Sequence, residues 1–320
     1  MDKEKLIQEI NILRKQKNAI IMAHYYQTAD IQAIADFIGD SLALAQKAKT
    51  IDAQIIVICG VHFMGETAKI ICQDKKVLVP DLNAGCSLAD SCNAEDLRRF
   101  KAEHPDHTVI SYVNTTAEVK ALTDVCVTSS NARKIVETFP KDAKLIFGPD
   151  RNLGNYINST TGRNMLLWNG ACHVHERFSV ERLIELKKQY PAAKVLAHPE
   201  CKAAVIALAD VVGSTAALLE YVKKSDSNEF LVATESGILF EMERACPNKH
   251  FIPVPPEMSE SFDTQGNLIP CACNECNYMR LNTMQKLYDC LNEEKNEIFV
   301  APEIASKAIT CIDRMLELSR

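Results

Sequence analysis

Three short apolar runs each end in a histidine or a tyrosine that could transfer a proton. The runs IIMAH, VISY and VLAH end at His24, Tyr112 and His198. A histidine near neutral pH can donate or accept a proton, so these positions suit acid–base chemistry. A hydroxyl residue placed to open a helix follows each run after the same interval of 17 residues: Ser41, Ser129 and Thr215. Three equal intervals with matching residue types indicate an internal repeat rather than chance.

The repeat also contains one cysteine near the end of each unit, namely Cys86, Cys172 and Cys276. They follow the next apolar run of their units by 26, 24 and 42 residues, and an insertion rich in proline and acidic residues lengthens the third interval. Three thiolates can hold a [4Fe–4S] cluster by three of its irons, where four cysteines are usual. The open iron could then bind substrate as a Lewis acid. The sequence predicts these three metal ligands, and a reduced structural cysteine is the alternative at each position.

Most of the thirteen cysteines need no such role. A disulfide framework is typical of small secreted domains, which this chain of 320 residues does not resemble. Small buried hydrophobic side chains are expected at the cysteines inside apolar patterns: Cys59, Cys72, Cys126, Cys246, Cys290 and Cys311. The closely spaced Cys271, Cys273 and Cys276 leave two alternatives open. One is a zinc site without an obvious fourth ligand, and the other is a redox pair of Cys273 with Cys276 that would control the third ligand.

The elements that must position these residues alternate between strands and helices. Eleven strand-type runs, from 19–23 to 251–254, alternate with helical patterns such as 94–103 and 180–189. This alternation predicts parallel sheets covered on both faces. With the repeat, it predicts an α/β fold of three similar three-layer αβα domains, related by pseudo-threefold symmetry around a central active site.

The expected domains follow the repeat. The first spans 1–85, the second 86–171, and the third 172–301 with an insertion at 254–276 that carries the last cysteine. An amphipathic C-terminal helix at 302–319 is expected to pack near the first domain.

Ligands of open parallel sheets bind beyond the carboxyl ends of the strands, so three such ends would surround one cavity. The residues expected there are His24, Tyr26, Ser41, Tyr112, Asn114, Ser129, His198, Glu200 and Thr215. Helix N-termini suit phosphate or carboxylate groups, although simple N-capping would also explain the three hydroxyl residues. The histidines could equally be structural, and His173 and His175 are weaker candidates for a role beside Cys172.

Composition argues against several classes of partner. The formal net charge is −6 and no polybasic run occurs, so a nucleic-acid partner is not expected. No signal-type apolar region is visible near the N-terminus. No apolar run approaches the roughly 20 residues of a membrane span. We therefore expect a cytoplasmic protein without a membrane partner.

Ten segments together resemble the quinolinate synthase family, an iron–sulfur family of NAD biosynthesis. They are AHYYQ (23–27), GDSL (39–42), AGCSLAD (84–90), SYVNTTAEVKA (111–121), TSSNA (128–132), GPDRNLG (148–154), NGACHVHE (169–176), AHPEC (197–201), GST (213–215) and CNECNYMRLNT (273–283). The resemblance covers nearly the whole chain in the right order. One departure is Asn277, where the family often carries proline, and the cysteine spacing before Cys276 also varies in the family.

The resemblance implies condensation of iminoaspartate with dihydroxyacetone phosphate to quinolinate, with release of phosphate and water. It implies one [4Fe–4S] cluster per chain, held by Cys86, Cys172 and Cys276 with one iron open. The residues expected to be catalytic are His24, Tyr26, Tyr112, His198 and Glu200. Substrate binding falls to His24, Ser41, Tyr112, Asn114, Ser129, His198, Glu200 and Thr215. A transient partner that supplies iminoaspartate, an L-aspartate oxidase or an aspartate dehydrogenase, is also expected.

Two other functions fit the same residues. An iron–sulfur hydro-lyase could use the open iron on a hydroxy acid. An iron or oxygen sensor would more often carry a DNA-binding module, and no basic helix-turn-helix pattern occurs here.

Overall fold

The computed structural model describes residues 2–257 and 274–319. Within these ranges it contains twelve β-strands and sixteen α-helices. The strands are β1 (Ala19–His24), β2 (Phe37–Gly39), β3 (Ile55–Cys59), β4 (Lys76–Leu78), β5 (Thr108–Tyr112), β6 (Val125–Val127), β7 (Leu145–Gly148), β8 (Leu166–Leu167), β9 (Lys194–Ala197), β10 (Val211–Val212), β11 (Glu229–Ala233) and β12 (His250–Pro253).

The helices cover the stretches between these strands and the C-terminal part of the chain. They are α1 (Lys3–Gln16), α2 (Ala29–Ile34), α3 (Ser41–Ala48), α4 (His62–Ile71), α5 (Ser87–Asp90), α6 (Ala94–Glu103), α7 (Ala117–Lys120), α8 (Ala132–Glu137), α9 (Arg151–Thr161), α10 (Val180–Gln189), α11 (Ala203–Ile206), α12 (Thr215–Lys224), α13 (Ile238–Ala245), α14 (Asn277–Arg280), α15 (Met284–Glu293) and α16 (Pro302–Leu318). A short 3₁₀ helix covers His175–Arg177.

The strands form three four-stranded parallel sheets with the same strand order. The orders are β2-β1-β3-β4, β6-β5-β7-β8 and β10-β9-β11-β12. In each sheet the first strand in sequence lies between the second and the third. This confirms the predicted α/β fold of three similar units, each a parallel sheet with flanking helices. The arrangement of the units about a common axis stays a prediction.

The pairing register differs by one residue in the second sheet. In the first and third sheets, paired residues of the first and third strands are 36 positions apart in sequence. In the second sheet Ser111 lies opposite Gly148, so the offset is 37. The second repeat therefore has one additional residue between its first and third strands.

An aspartate at the same place in each unit holds the two neighbouring strands together. Asp36, Asp124 and Asp210 each accept, through Oδ2, the backbone N–H of the residue fifteen positions earlier at 2.8 Å. The N–H of each aspartate also donates to the carbonyl oxygen of that same residue, at 2.8, 3.0 and 2.9 Å. Because β2, β6 and β10 are only two or three residues long, these bonds supplement a short ladder.

Burial explains which strands the sequence predicted. All five residues of β3 are buried, as expected for a strand of a parallel sheet covered on both faces. The sequence analysis missed β2, which has three residues of which only Gly39 is buried. Such a segment has no apolar run long enough to show a period.

The chain divides into two compact units, which we describe separately. One runs to Gly170 and includes the chain from Asn277 onward, and the other is Ala171–Cys276. In the first unit, Leu287 and Leu291 of α15 belong to the apolar core of the first sheet. Helix α16 packs against β6 and α7. The compact unit Ala171–Cys276 contains the third sheet. The domain boundaries expected from the sequence stay a prediction.

Candidate functional site

The same turn follows β1 and β9 and fixes a histidine in each. The N–H of Tyr26 donates to Nδ1 of His24 at 3.1 Å, and the N–H of Glu200 donates to Nδ1 of His198 at 3.3 Å. Because a backbone N–H can only donate, Nδ1 accepts in both rings, and the neutral imidazole carries its proton on Nε2. Both side chains are buried. The sequence pattern therefore produces two histidines with a defined tautomer at equivalent places.

Five side chains meet beyond the strands of the second compact unit. Nδ1 of His175 lies 3.3 Å from Sγ of Cys172 and 3.1 Å from Oε2 of Glu200, and its Nε2 lies 3.0 Å from Oγ1 of Thr234. The ring of His175 stacks on the ring of His198, with centroids 4.6 Å apart. Oε1 of Glu200 lies 3.6 Å from Nδ1 of His198. A half-buried thiol, two buried imidazoles and a buried carboxylate thus form one group.

His175 has a larger role in the structure than the sequence suggested. His175 was ranked low, but it connects Cys172 to Glu200 in the structure. Its position three residues after a predicted ligand cysteine was the available signal. Burial lowers the pKa of the imidazole of its neighbour His173, with smaller contributions from Arg177 and His175.

Glu235 holds the backbone at the third cysteine, and sequence reasoning missed it. Its fully buried carboxylate accepts the N–H of Cys276 through Oε1 at 3.1 Å and the N–H of Gly237 through Oε2 at 2.6 Å. Hydrogen bonds that involve an ionised group are stronger than neutral ones. The available signal was a charged residue two positions after the end of β11. Cys271 and Cys273, which the zinc and redox-pair alternatives require, lie outside the described residues.

In the first compact unit, Tyr112 and Asn114 lie on a turn that a buried lysine secures. Nζ of Lys120 donates to the carbonyl oxygen of Val113 at 2.9 Å and to that of Thr115. The lysine is fully buried, and this burial lowers the pKa of its ammonium group. Sequence reasoning missed this residue, although it lies within the segment SYVNTTAEVKA. A lysine inside an otherwise apolar helical pattern was the only signal.

The three hydroxyl residues differ in their relation to the helices. Ser41 and Thr215 are the first residues of α3 and α12, but the caps are the residues before them. Asp40 accepts the N–H of Ala43 at 2.9 Å, and Ser214 accepts that of Ala217 at 3.3 Å. N-capping therefore does not explain Ser41 or Thr215. The expectation that Ser129 opens a helix is wrong, because α8 begins only at Ala132 and Asn131 precedes it as the cap position.

Cys86 lies just before α5, in the first compact unit, and is half-buried. The glycine before it faces the ring of Tyr278 in α14, where a Cβ would lie 3.4 Å from the nearest ring carbon. In the same unit, Nη1 of Arg280 donates to the carbonyl oxygen of Tyr26 at 2.8 Å. The ring of Tyr26 packs edge-on against His24, with centroids 4.5 Å apart.

The exposure of the cysteines separates ligand candidates from structural thiols. Among the cysteines that the structure describes, four are half-buried: Cys86, Cys172, Cys246 and Cys276. Burial raises the pKa of Cys92 and of Cys290 to about 12. A thiol that resists ionisation is a poor metal ligand, because the thiolate is the binding form. Three of the four half-buried cysteines are the predicted cluster ligands, so this donor set fits an iron–sulfur group.

Comparisons with known proteins give one family along nearly the whole chain. The family model described as "NadA: Quinolinate synthetase A protein" matches residues 8–317. Proteins named quinolinate synthase from Microcystis aeruginosa and Synechocystis are each 54% identical over 98% of this chain and 95% of their own length. That of Chloroherpeton thalassium is 53% identical with the same coverage. Among the described residues, no helix is long and apolar enough to cross a membrane.

Proposed function

The chain belongs to the quinolinate synthetase A family, and we propose that it condenses iminoaspartate with dihydroxyacetone phosphate to quinolinate, releasing phosphate and water. The observation that carries the proposal is the match along 98% of the chain to relatives named quinolinate synthase. No observation favours the hydro-lyase or the sensor. A cytoplasmic location and a transient oxidase or dehydrogenase partner stay predictions of the sequence.

We assign Cys86, Cys172 and Cys276 to one [4Fe–4S] cluster. Their half-burial supports this, since the remaining described cysteines, apart from Cys246, are buried. Such a cluster would supply an open iron that acts as a Lewis acid on a substrate oxygen. Glu235 would keep the third ligand in place through the N–H of Cys276.

Proton transfer is assigned to His24, His198 and Glu200, with Tyr26 and Tyr112 as further donors. Enolisation of the triose, closure of the imine and loss of water each require a proton to be moved. In the neutral state the two histidines carry it on Nε2, because their Nδ1 atoms accept backbone N–H groups. Oε2 of Glu200 lies 3.1 Å from Nδ1 of His175, so a proton can pass between this carboxylate and this imidazole.

Binding of the phosphate and carboxylate groups is assigned to the remaining residues. The N-termini of α3 and α12 present N–H groups and a partial positive charge, which suit anions. Ser41 and Thr215 sit at these ends without acting as caps, and this supports a role toward substrate. Asn114 and Ser129, on the turns after β5 and β6, complete the proposed set.

The experiment combines product analysis with iron counting under anaerobic conditions. We expect about four irons per chain, the content of a [4Fe–4S] cluster, and quinolinate from dihydroxyacetone phosphate and iminoaspartate generated in the assay. Cys172→Ser should lose the iron, whereas Cys246→Ser, a matched half-buried cysteine of the same compact unit, should keep it. Glu200→Gln should keep the iron and lose turnover.

Two results would overturn parts of the proposal. Full iron content in Cys172→Ser would remove this residue from the ligand set. Quinolinate formation at the wild-type rate by Glu200→Gln would remove the carboxylate from proton transfer. A chain with full iron content that forms no quinolinate would refute the activity itself.

A further inference from the structure

Cys172, His175 and Glu200 have the arrangement of a site for a single metal ion. One donor atom from each residue lies within 4.8 Å of the other two. All three belong to the compact unit Ala171–Cys276. Two of them share one turn of chain, where the N–H of Glu176 donates to the carbonyl oxygen of Cys172 at 2.9 Å. The third follows β9 on the turn closed by the N–H of Cys201 and the carbonyl oxygen of His198, at 3.0 Å.

The distances agree with the edges of a tetrahedral zinc site. Zinc bonds of about 2.3 Å to sulfur and about 2.0–2.2 Å to nitrogen and oxygen imply ligand separations of about 3.6 Å for S···N and about 3.4 Å for N···O. The corresponding distances are 3.3 Å from Sγ of Cys172 to Nδ1 of His175 and 3.1 Å from this nitrogen to Oε2 of Glu200. For these two pairs, movements of a few tenths of an ångström would reach the zinc distances, and the sulfur and the carboxylate lie within 4.8 Å of each other.

Thr234 supports the histidine in the way that a metal ligand requires. Oγ1 of Thr234 lies 3.0 Å from Nε2 of His175. If the hydroxyl accepts the Nε2 proton, the lone pair of Nδ1 faces the sulfur and the carboxylate. Histidine ligands to metals almost always have such a partner on the other nitrogen. A divalent cation would also offset the charge of Glu200, which is buried and therefore expensive to leave ionised.

We propose that the protein without its cluster binds one divalent ion of the zinc class at Cys172, His175 and Glu200, with water as a fourth ligand. Because Cys172 is also a proposed cluster ligand, the ion and the cluster exclude each other. Zinc bound first therefore blocks cluster assembly. The inference adds to the proposed function and shares Cys172 and Glu200 with it.

Cobalt(II) tests the site directly, because it replaces zinc and reports its ligands by absorption. Cluster-free, reduced, full-length protein is titrated with CoCl₂ and separately dialysed against ZnCl₂. We expect one tightly bound ion per chain, a thiolate-to-cobalt charge-transfer band, and the strong visible bands of four-coordinate cobalt. Cys172→Ser should abolish the charge-transfer band, and Glu200→Gln should weaken binding. Thr234→Val should weaken binding by about 10- to 100-fold while leaving all three ligands in place.

Two control variants separate this inference from the cluster proposal. Cys86→Ser should bind cobalt like the wild type and yet fail to assemble the cluster. The triple variant Cys271→Ser/Cys273→Ser/Cys276→Ser should also keep the cobalt spectrum. Far-UV circular dichroism establishes that each variant is folded before titration.

The inference fails if the charge-transfer band survives in Cys172→Ser, or disappears in the triple variant. Either outcome would place the ion elsewhere, the second on the C-terminal group of cysteines. One equivalent of zinc, added before cluster reconstitution, should lower iron incorporation in the wild type and much less in Glu200→Gln. Equal iron incorporation with and without zinc in the wild type would refute mutual exclusion. A cluster that assembles in Cys86→Ser would refute the cluster ligand set and leave the zinc site intact.

Discussion

Replacing the buried carboxylate of Glu235 by an amide should loosen Cys276, the third proposed cluster ligand. Glu235→Gln keeps the shape of the side chain but can accept only one of the two N–H groups that the carboxylate now accepts, those of Cys276 and Gly237. The NH₂ group of the amide then faces the second backbone N–H. Because both groups are donors, no hydrogen bond forms between them. The main effect is expected at the backbone of Cys276, the residue directly before α14.

The size of the effect follows from these two hydrogen bonds. A bond to a charged group contributes about 1.5–3 kcal/mol, and an unsatisfied buried donor costs about 1–3 kcal/mol. The variant should therefore lose about 2–5 kcal/mol in the local closed state. At about 1.4 kcal/mol per factor of ten, the population of the open segment rises by about 20-fold or more.

The assay follows the loss of iron from the loaded protein to a coloured ferrous chelator under anaerobic conditions. We expect faster release from Glu235→Gln at unchanged initial iron content, and a changed electron paramagnetic resonance signal of the reduced cluster. Glu241→Gln is the matched control, because Glu241 is a buried glutamate of the same compact unit that pairs with Arg244 at 2.7 Å. Equal release rates in the two variants would refute the role given to Glu235.

Two further predictions concern buried charges of the first compact unit. Lys120→Met should remove the lysine donor from the carbonyl oxygen of Thr115, while that of Val113 keeps the N–H of Thr115 at 2.8 Å. The free energy of unfolding should fall by about 1–3 kcal/mol. The variant should also raise KM more than it lowers kcat, because the backbone that Lys120 holds directly follows Tyr112. A loss of less than about 1 kcal/mol in the free energy of unfolding, measured by urea titration, would contradict the first prediction, and an unchanged KM would contradict the second. Burial raises the pKa of Glu66, so the folded state favours the protonated form and its stabilising contribution is lost as pH rises through that raised pKa. Glu66→Gln should therefore gain stability over the wild type as pH rises, and a constant difference between pH 4.5 and 8 in denaturant titrations would contradict this.

The repeated strands could be predicted because local pattern decides them. Buried runs such as Ile55–Cys59 are apolar along their whole length, and the bounds of Lys194–Ala197 follow from the sequence alone. The equal intervals of 17 residues that begin at His24, Tyr112 and His198 reflect first connections of equal length in three sheets of the same order. In the second repeat, the paired residues of the first and third strands are 37 positions apart instead of 36. Distances along the sequence do not reveal which residues of two strands pair, so this difference could not be predicted.

The buried polar residues of the site could not be predicted, because their role depends on distant parts of the chain. Glu235 meets an N–H 41 positions away, and Glu66 meets one 51 positions away. A single sequence shows only that a charged residue is present, and most such residues are exposed. His175 shows the same limit, since its partner Thr234 is 59 positions away.

Threefold repetition of one backbone plan explains how one chain can provide different chemistries at equivalent places. The turn after the first strand carries histidine with tyrosine, tyrosine with asparagine, and histidine with glutamate in the three units. Where the first residue is histidine, the N–H two positions later donates to its Nδ1 and sets the tautomer without help from another element. Tyr112 offers no such acceptor, and there the buried ammonium group of Lys120 secures the turn instead. In the proposed function, His24, His198 and Glu200 of two repeats transfer protons, and Tyr112 and Asn114 of the other bind the substrate, with Tyr112 also as a proton donor. These different roles would follow from the side chains, because the three sheets that present them have the same strand order.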